Sequence, residues 1–370
     1  MIAAPCQTVL PRLWSNLRWI YLALHVQGQV TTLRLTVTLT SIGIEISKRQ
    51  VVRLLTTELE RFVEEDNAIL HTGRNAYTTQ IGGERFSAFR TSFSKSRLNF
   101  LSILKAGHQN YILNDEAMNW LRTQGAEQAI VEKLKTRPTT DQVAFLEYLT
   151  GRDIDIFDRQ PMCLLVEAGS WGMIRHHGLL GNTVIVSDDA GQFRVGSRAL
   201  CWIHCERLLQ KLMPAKRREV RRGELIRDLV WRFYKALKTW KLKPSPQAAH
   251  AFRRRFDRIF SSRTGYDVLD KRLVRLHRRR HELLKVLEHP DIPLHTNASE
   301  NDLRTFVTKR KISEGTMSFN GRIARDTMLG LMKTCQKLGI SFYVYLGDRL
   351  GLDGDRSKMP RLAELVAIPN

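Results

Sequence analysis

The chain has 370 residues, 43% of them hydrophobic, with 59 Lys and Arg against 37 Asp and Glu, a formal net charge of +22. That length allows roughly two domains with globular cores. The charge excludes an acidic surface and predicts attraction to a polyanion, either nucleic acid or an anionic membrane face.

Residues 1–57 read as a helical N-terminal region. Residues 13–26 are apolar in places, but Arg18 and His25 interrupt them. The stretch is too short and broken for a membrane span, and no signal-peptide cleavage pattern follows. Gly43 marks a turn before a short helix opening near Ser47, an arrangement that a helix-turn-helix shares with any two helices joined at a glycine. From 58 to 200 the pattern becomes α/β. Residues 61–70, carrying Glu64, Glu65 and Asp66, read as a first strand. Residues 75–82 and 86–91 alternate around Gly82-Gly83 and read as a hairpin. Residues 96–106 follow as a helix, and 111–113 as a short strand ending at Asn114-Asp115. Residues 116–180 are mostly helical in pattern. The apolar run 183–186, between Asn182 and Ser187, reads as a buried strand. Asp188 and Asp189 stand directly after it. The carboxyl end of a buried strand is where open α/β sheets place ligands, and Ser-Asp-Asp is equally good turn chemistry; both readings stay open on spacing alone.

Residues 201–290 read as a basic helical insertion. Between 211 and 285 there are 24 Lys and Arg against 7 Asp and Glu, a net +17. Arg253-Arg254-Arg255 and Arg278-Arg279-Arg280 are its densest runs, and Trp231, Phe233, Tyr234 and Trp240 lie among the cations. A solvated helical face has the same composition, but this charge density favours phosphate contact. The five cysteines, at 6, 163, 201, 205 and 335, are odd in number and scattered, which fits a reducing cytoplasm. Cys201, His204 and Cys205 lie close together with no second pair at zinc spacing, so they read as structural.

Residues 291–352 read as helices completing the core, and 353–370 as a tail without a motif. Within them 294–311 reads L-H-T-N-A-S-E-N-D-L-R-T-F-V-T-K-R-K. Ser299 offers an N-cap, and Glu300 and Asp302 suit the first turn. Glu300 and Arg304 share a helix face, and Lys311, about three turns on, returns to it. A carboxylate beside two cations, followed by the run Lys309-Arg310-Lys311, suits a residue that holds a metal while its neighbours hold phosphates. A surface helix with an ordinary ion pair has the same spacing. Residues 324–338 form a further amphipathic helix stopped by Gly339.

Four stretches occur in order: H71-T-G-R-N-A-Y-T-T-Q-I-G, S187-D-D-A-G-Q-F, L200-C-W-I-H-C-E-R-L and L294-H-T-N-A-S-E-N-D-L-R. R310-K-I-S-E-G-T and L329-G-L-M-K-T-C-Q-K-L-G follow them. Together, from about residue 28 to about residue 352, they resemble the insertion-sequence-66-type transposases of bacterial mobile elements. The resemblance implies a ribonuclease-H-like α/β core with an Asp-Asp-Glu site for Mg²⁺ or Mn²⁺. Such a site activates water or a DNA 3′-hydroxyl and stabilises the leaving oxygen. The second Asp falls on Asp188, with Asp189 and Asp115 as competitors, and the Glu on Glu300. The first falls on Asp66 or its neighbour Glu65, because this chain reads Glu65-Asp66-Asn67 and Leu70 where the family has Asp-Asp-Thr and Arg. Trp202, His204 and Arg207 match a supporting motif.

The implied DNA contacts are Arg304, Lys309, Arg310, Lys311, Arg278, Arg279 and Arg280. The implied partners are element-end and target DNA, bound by a homo-oligomer in the bacterial cytoplasm, with no membrane. The family's end-recognising and zinc-binding N-terminal parts are expected to be missing or cut short. A weakly active or inactive DNA-binding remnant, and a nuclease on the same core, are the rival readings.

Overall fold

The computed structural model describes residues 18–44, 46–57, 59–60, 62–63, 80–91, 96–139, 141–312, 319–352 and 358–368. Two compact units divide the chain, one formed by residues 1–181 with 299–370 and the other by 182–298. The architecture is mixed α/β and mostly helical. Its described strands form three separate pairs. β1 (Gln80–Gly82) and β2 (Ser87–Phe89) are antiparallel, as are β3 (Tyr111–Leu113) and β4 (Arg137–Thr139), whereas β5 (Val184–Ser187) and β6 (Ser197–Leu200) are parallel. The expected ribonuclease-H-like core calls for one larger central sheet, and among the described residues these pairs are not joined into one. No described helix is long and apolar enough to cross a membrane.

In the first unit the local signals act much as the sequence suggests. Ser47 and Gln50 cap each other at the start of the Lys48–Thr56 helix, with Gln50 N donating to Ser47 Oγ at 3.2 Å and Ser47 N to Gln50 Oε1 at 2.8 Å. The hairpin pairs Gly82 with Ser87, as the Gly82-Gly83 turn predicts; residues 75–79 lie outside the described residues. One expectation is corrected within the described residues: Phe62 and Val63, inside the expected 61–70 strand, are helical, with Val63 N bonded to Leu59 O at 2.9 Å, and the rest of that stretch lies outside the described residues. The expected strand at 111–113 is β3, and just after it Asp115 opens the Asp115–Thr123 helix, capped by Asn114 Oδ1 on Ala117 N at 3.0 Å. The sequence reading also missed β4, whose exposed Arg137 and Pro138 are typical of an edge strand.

The Arg159–His176 helix packs on β3 through a glycine. A Cβ on Gly172 would stand 2.1 Å from Ile112 O, so only glycine permits this approach. Asn114 Nδ2 donates to Gly172 O at 3.0 Å and fixes the same contact. The β1–β2 hairpin lies on the Phe319–Lys337 helix. Ser87 N donates to Thr334 Oγ1 at 3.1 Å, and Thr334 Oγ1 donates back to Ser87 O at 3.0 Å. At the chain's two ends, Trp19 stacks on Tyr343 with ring centroids 4.3 Å apart.

The second unit is organised around Trp202. Its indole lies 5.2 Å from the Phe233 ring and 6.2 Å from Phe256, in a core supplied by the Trp202–Gln210, Arg217–Trp240, Pro246–Phe260 and Asp267–Arg278 helices. Trp202 Nε1 donates to Leu283 O and its backbone N to Leu294 O, both at 3.0 Å. Phe233 and Trp240, which the sequence places among cations, are buried members of this core.

Candidate functional site

The parallel strands β5 and β6 are joined by only residues 188–196, whereas parallel crossovers usually take a dozen residues or more. The short link closes because Asp189 adopts φ 73° and Gly196 φ 57°. A left-handed conformation costs a non-glycine residue on the order of 1 kcal/mol. Ion pairs offset that cost. Asp189 Oδ1 meets Arg279 Nη2 at 2.5 Å and Arg194 Nη2 at 3.6 Å, and Oδ2 meets Arg275 Nη2 at 3.1 Å. Arg279 and Arg198 also reach Glu282 Oε1, at 3.6 and 3.4 Å. Four guanidinium groups thus share two carboxylates, leaving local positive charge next to Asp188.

Asp188 itself is exposed at the carboxyl end of β5. Its Oδ1 accepts from Ala190 N at 3.2 Å, and among the described residues it has no ion pair. The neighbouring aspartates therefore differ. The oxygens of Asp189 are engaged by arginines, while among the described residues Asp188 meets no cation and has only one backbone hydrogen bond, on Oδ1, so its exposed carboxylate suits a hard divalent cation.

Trp202 is a core anchor two residues beyond β6, and His204 and Arg207 lie on its helix with Arg207 Nη1 donating to His204 Nε2 at 3.4 Å. Cys201 is buried and its Sγ accepts from Thr296 Oγ1 at 3.6 Å. Burial pushes its thiol up, but hydrogen bonds with His204 and Thr296 outweigh that and hold it below the usual range. Burial pushes the Cys205 thiol upward. Among the described residues no three His, Cys, Asp or Glu side chains gather to hold a metal ion. Glu65 and Asp66 lie outside the described residues.

Glu300 belongs to the other unit, in the first turn of the Asn297–Ile312 helix, where a carboxylate is favoured by the helix dipole. The helix starts two residues before Ser299, so Ser299 lies inside it and is not its cap. Two positions further on, Asp302 is buried and receives Gln80 Nε2 and Lys337 Nζ, both at 2.9 Å. At about 100° per residue, Asp302 and Glu300 point to nearly opposite sides. Arg304 is exposed, and its Nη1 turns to Asn301 Oδ1 at 3.2 Å.

Lys309, seven residues after Asp302, returns to the buried side. It is 3% exposed and its Nζ donates to His25 O, so it does not stand where phosphate contact was expected. Burial lowers its pKa to about 7. His25 is lowered to about 4, first by burial and then by Lys309. Arg310 and Lys311 continue the helix, and their side chains lie outside the described residues. In the arginine triple, Arg278 is exposed, Arg279 binds Asp189, and Arg280 Nη2 meets Asp257 Oδ2 at 3.1 Å. Arg194, Arg198, Arg275 and Glu282 were not singled out in the sequence. Their partners lie up to about 90 residues away, and no local pattern announces them.

Fold and site together define a strongly basic, mostly helical α/β chain with an exposed strand-end carboxylate. Residues 182–324 match the family model described as "Transposase IS66 family". The chain is also 66% identical over 306 residues to an uncharacterized protein, y4jO, of Sinorhizobium fredii, spanning 82% of this chain and 95% of that protein. It belongs to the IS66 transposase family. No solved structure matches it.

Two substitutions separate the neighbouring aspartates. Asp189→Asn should cost about 2 kcal/mol by weakening charged hydrogen bonds, whereas exposed Asp188→Asn should stay within about 0.5 kcal/mol. Denaturant unfolding measures both, and equal losses would contradict the division of roles. The buried lysine predicts a pH effect. The unfolded chain keeps that proton up to about 10.5 and the folded chain releases it near 7, so between those values unfolding takes up a proton and rising pH favours the fold. Lys309→Met should therefore raise stability at pH 7 and flatten this rise, as chemical denaturation across that range would show. An unchanged pH profile would contradict the burial.

Proposed function

We propose that the chain is a DNA transposase, cutting and joining strands at the ends of a bacterial insertion sequence with Mg²⁺ or Mn²⁺. The observation that carries this reading is the contrast between Asp188, exposed and without a cationic partner among the described residues, and Asp189, whose oxygens are engaged by arginines. Asp188 and Glu300, with Asp66 as the first carboxylate, are the proposed metal ligands. The metal, when bound, supplies an activated water or 3′-hydroxyl and stabilisation of the leaving oxygen. The chain's own residues prepare the DNA. The arginine excess around Asp189 and Glu282 attracts phosphates, and exposed Arg278 and Arg304 extend that attraction. Trp202 fixes the segment from Leu283 to Leu294 against β6, so the strand end bearing Asp188 is backed by a packed core. In this reading the partners are element-end and target DNA, held by a homo-oligomer.

The departure at Glu65-Asp66-Asn67 and Leu70 favours a second reading, a chain that binds DNA but cleaves slowly. A misplacement of about 1 Å costs about 10²-fold in rate, and a lost arginine removes a bidentate partner. A strand-nicking assay on element-end DNA tests both readings. Asp188→Asn and Glu300→Gln should each abolish nicking while leaving DNA binding in place, and the combination Glu65→Asp, Asn67→Thr and Leu70→Arg should raise the rate. Nicking that survives both carboxylate changes would refute the transposase assignment. A rate that the triple change leaves untouched would refute the slow-enzyme reading.

A further inference from the structure

Within the second unit, the Arg217–Trp240 and Pro246–Phe260 helices and the loop that follows enclose a cleft of about 640 Å³. Its lining shares no residue with the Asp188 loop. Arg222, Arg255, Arg258 and Arg263 line it, together with the aliphatic side chains of Leu225 and Ile259. Several other arginines of this unit are matched with carboxylates: Arg279 and Arg275 with Asp189, Arg280 with Asp257, and Arg227 with Glu206 at 2.5 Å. Among the described residues, none of the four cleft arginines makes a side-chain hydrogen bond or an ion pair within 4.0 Å; Arg263 acts on the Asp270 carboxylate from further off, and Arg255 lies over the Phe233 ring at 5.6 Å.

The cleft is built by the fold. Asp270 fastens its loop, accepting from Thr264 N at 2.8 Å, Thr264 Oγ1 at 2.6 Å and Gly265 N at 3.1 Å. Burial pushes the Asp270 carboxyl up, and these hydrogen bonds, with Arg263 nearby, more than reverse that. Gly265 sits at φ +68°, where a Cβ would stand 2.9 Å from Arg222 Nη1, so the glycine leaves that guanidinium its place.

Four cations, with Asp270 beside Arg263 as a nearby carboxylate, keep an excess of positive charge that calls for a ligand carrying several negative charges. Leu225, 59% exposed on the same wall, calls for a ligand that also offers an apolar face. Duplex DNA meets the first demand only, because its base faces are stacked inside. An unpaired nucleotide within a strand meets both, since backbone phosphates pair with cations while bases stack on apolar surface and guanidinium planes. We propose that this cleft takes an unpaired nucleotide of single-stranded DNA, its phosphates on the four arginines and its base against Leu225 and Ile259. The proposal rests on the DNA-processing reading and names the form of DNA that this part of the chain prefers.

The test is fluorescence anisotropy of the full chain with one labelled oligonucleotide, offered single-stranded and as a blunt duplex. Leu225→Asn removes apolar surface without changing charge, and its exposed position spares the core. It should weaken single-strand binding on the order of tenfold and leave duplex binding unchanged. Arg258→Gln should lower the salt slope of single-strand binding by about 0.7, and Arg258→Lys should restore it; a thermal unfolding midpoint confirms that each variant is folded. Leu225→Asn acting equally on both DNA forms, or on neither, would overturn the cleft assignment while leaving DNA binding itself standing. Failure of the unaltered chain to bind either form would overturn the DNA reading and the cleft with it.

Discussion

The ion pairs of Asp189 are the constraint on which the strand-end site depends. A nine-residue link between parallel strands is short, and it turns through a left-handed aspartate. The carboxylate of that residue is gripped from Arg194 within the link and from Arg275 and Arg279 far along the chain. Charge thus does the work that a longer crossover helix would otherwise do. One consequence is chemical. The neighbouring Asp188 is left exposed at the strand end without a cationic partner among the described residues, in a field made positive by more guanidinium groups than carboxylates.

The other unit handles buried charge differently. Asp302 is inside, but Gln80, Lys333 and Lys337 satisfy it, so the helix that carries Glu300 is tied to the β1–β2 hairpin and to the Phe319–Lys337 helix. Among the described residues Lys309 on the same helix has no carboxylate partner and settles instead on the His25 carbonyl, with its pKa pulled down by burial. An isolated buried ammonium is costly unless it gives up its proton. These two residues fix which side of the helix faces inward and leave Glu300 on another side.

Local chemistry was legible in the sequence and long-range pairing was not. The helix opening near Ser47, the hairpin at Gly82-Gly83, the buried strand before Asp188 and the helix through Glu300 all follow from signals a few residues apart. The difference between Asp188 and Asp189 depends on arginines about 90 residues away, so turn chemistry and ligand chemistry looked alike in the sequence. Lys309 misled for a related reason: a basic run looks solvent-facing, but helical periodicity carries one of its members inward with Asp302. The arginine triple mixed one exposed cation with two that serve ion pairs. The four cleft arginines were hidden in the same way, because residues 222, 255, 258 and 263 converge only once two helices and a loop are folded.

The proposed function has Asp188 and Glu300 serving one divalent ion. The most direct measurement is Mn²⁺ binding by electron paramagnetic resonance to the chain in complex with element-end DNA, for Asp188→Asn, Glu300→Gln and the double variant. The account predicts that each single change removes the same bound ion and that the double change removes no more. Two separately lost ions, or a bound ion untouched by either change, would contradict it.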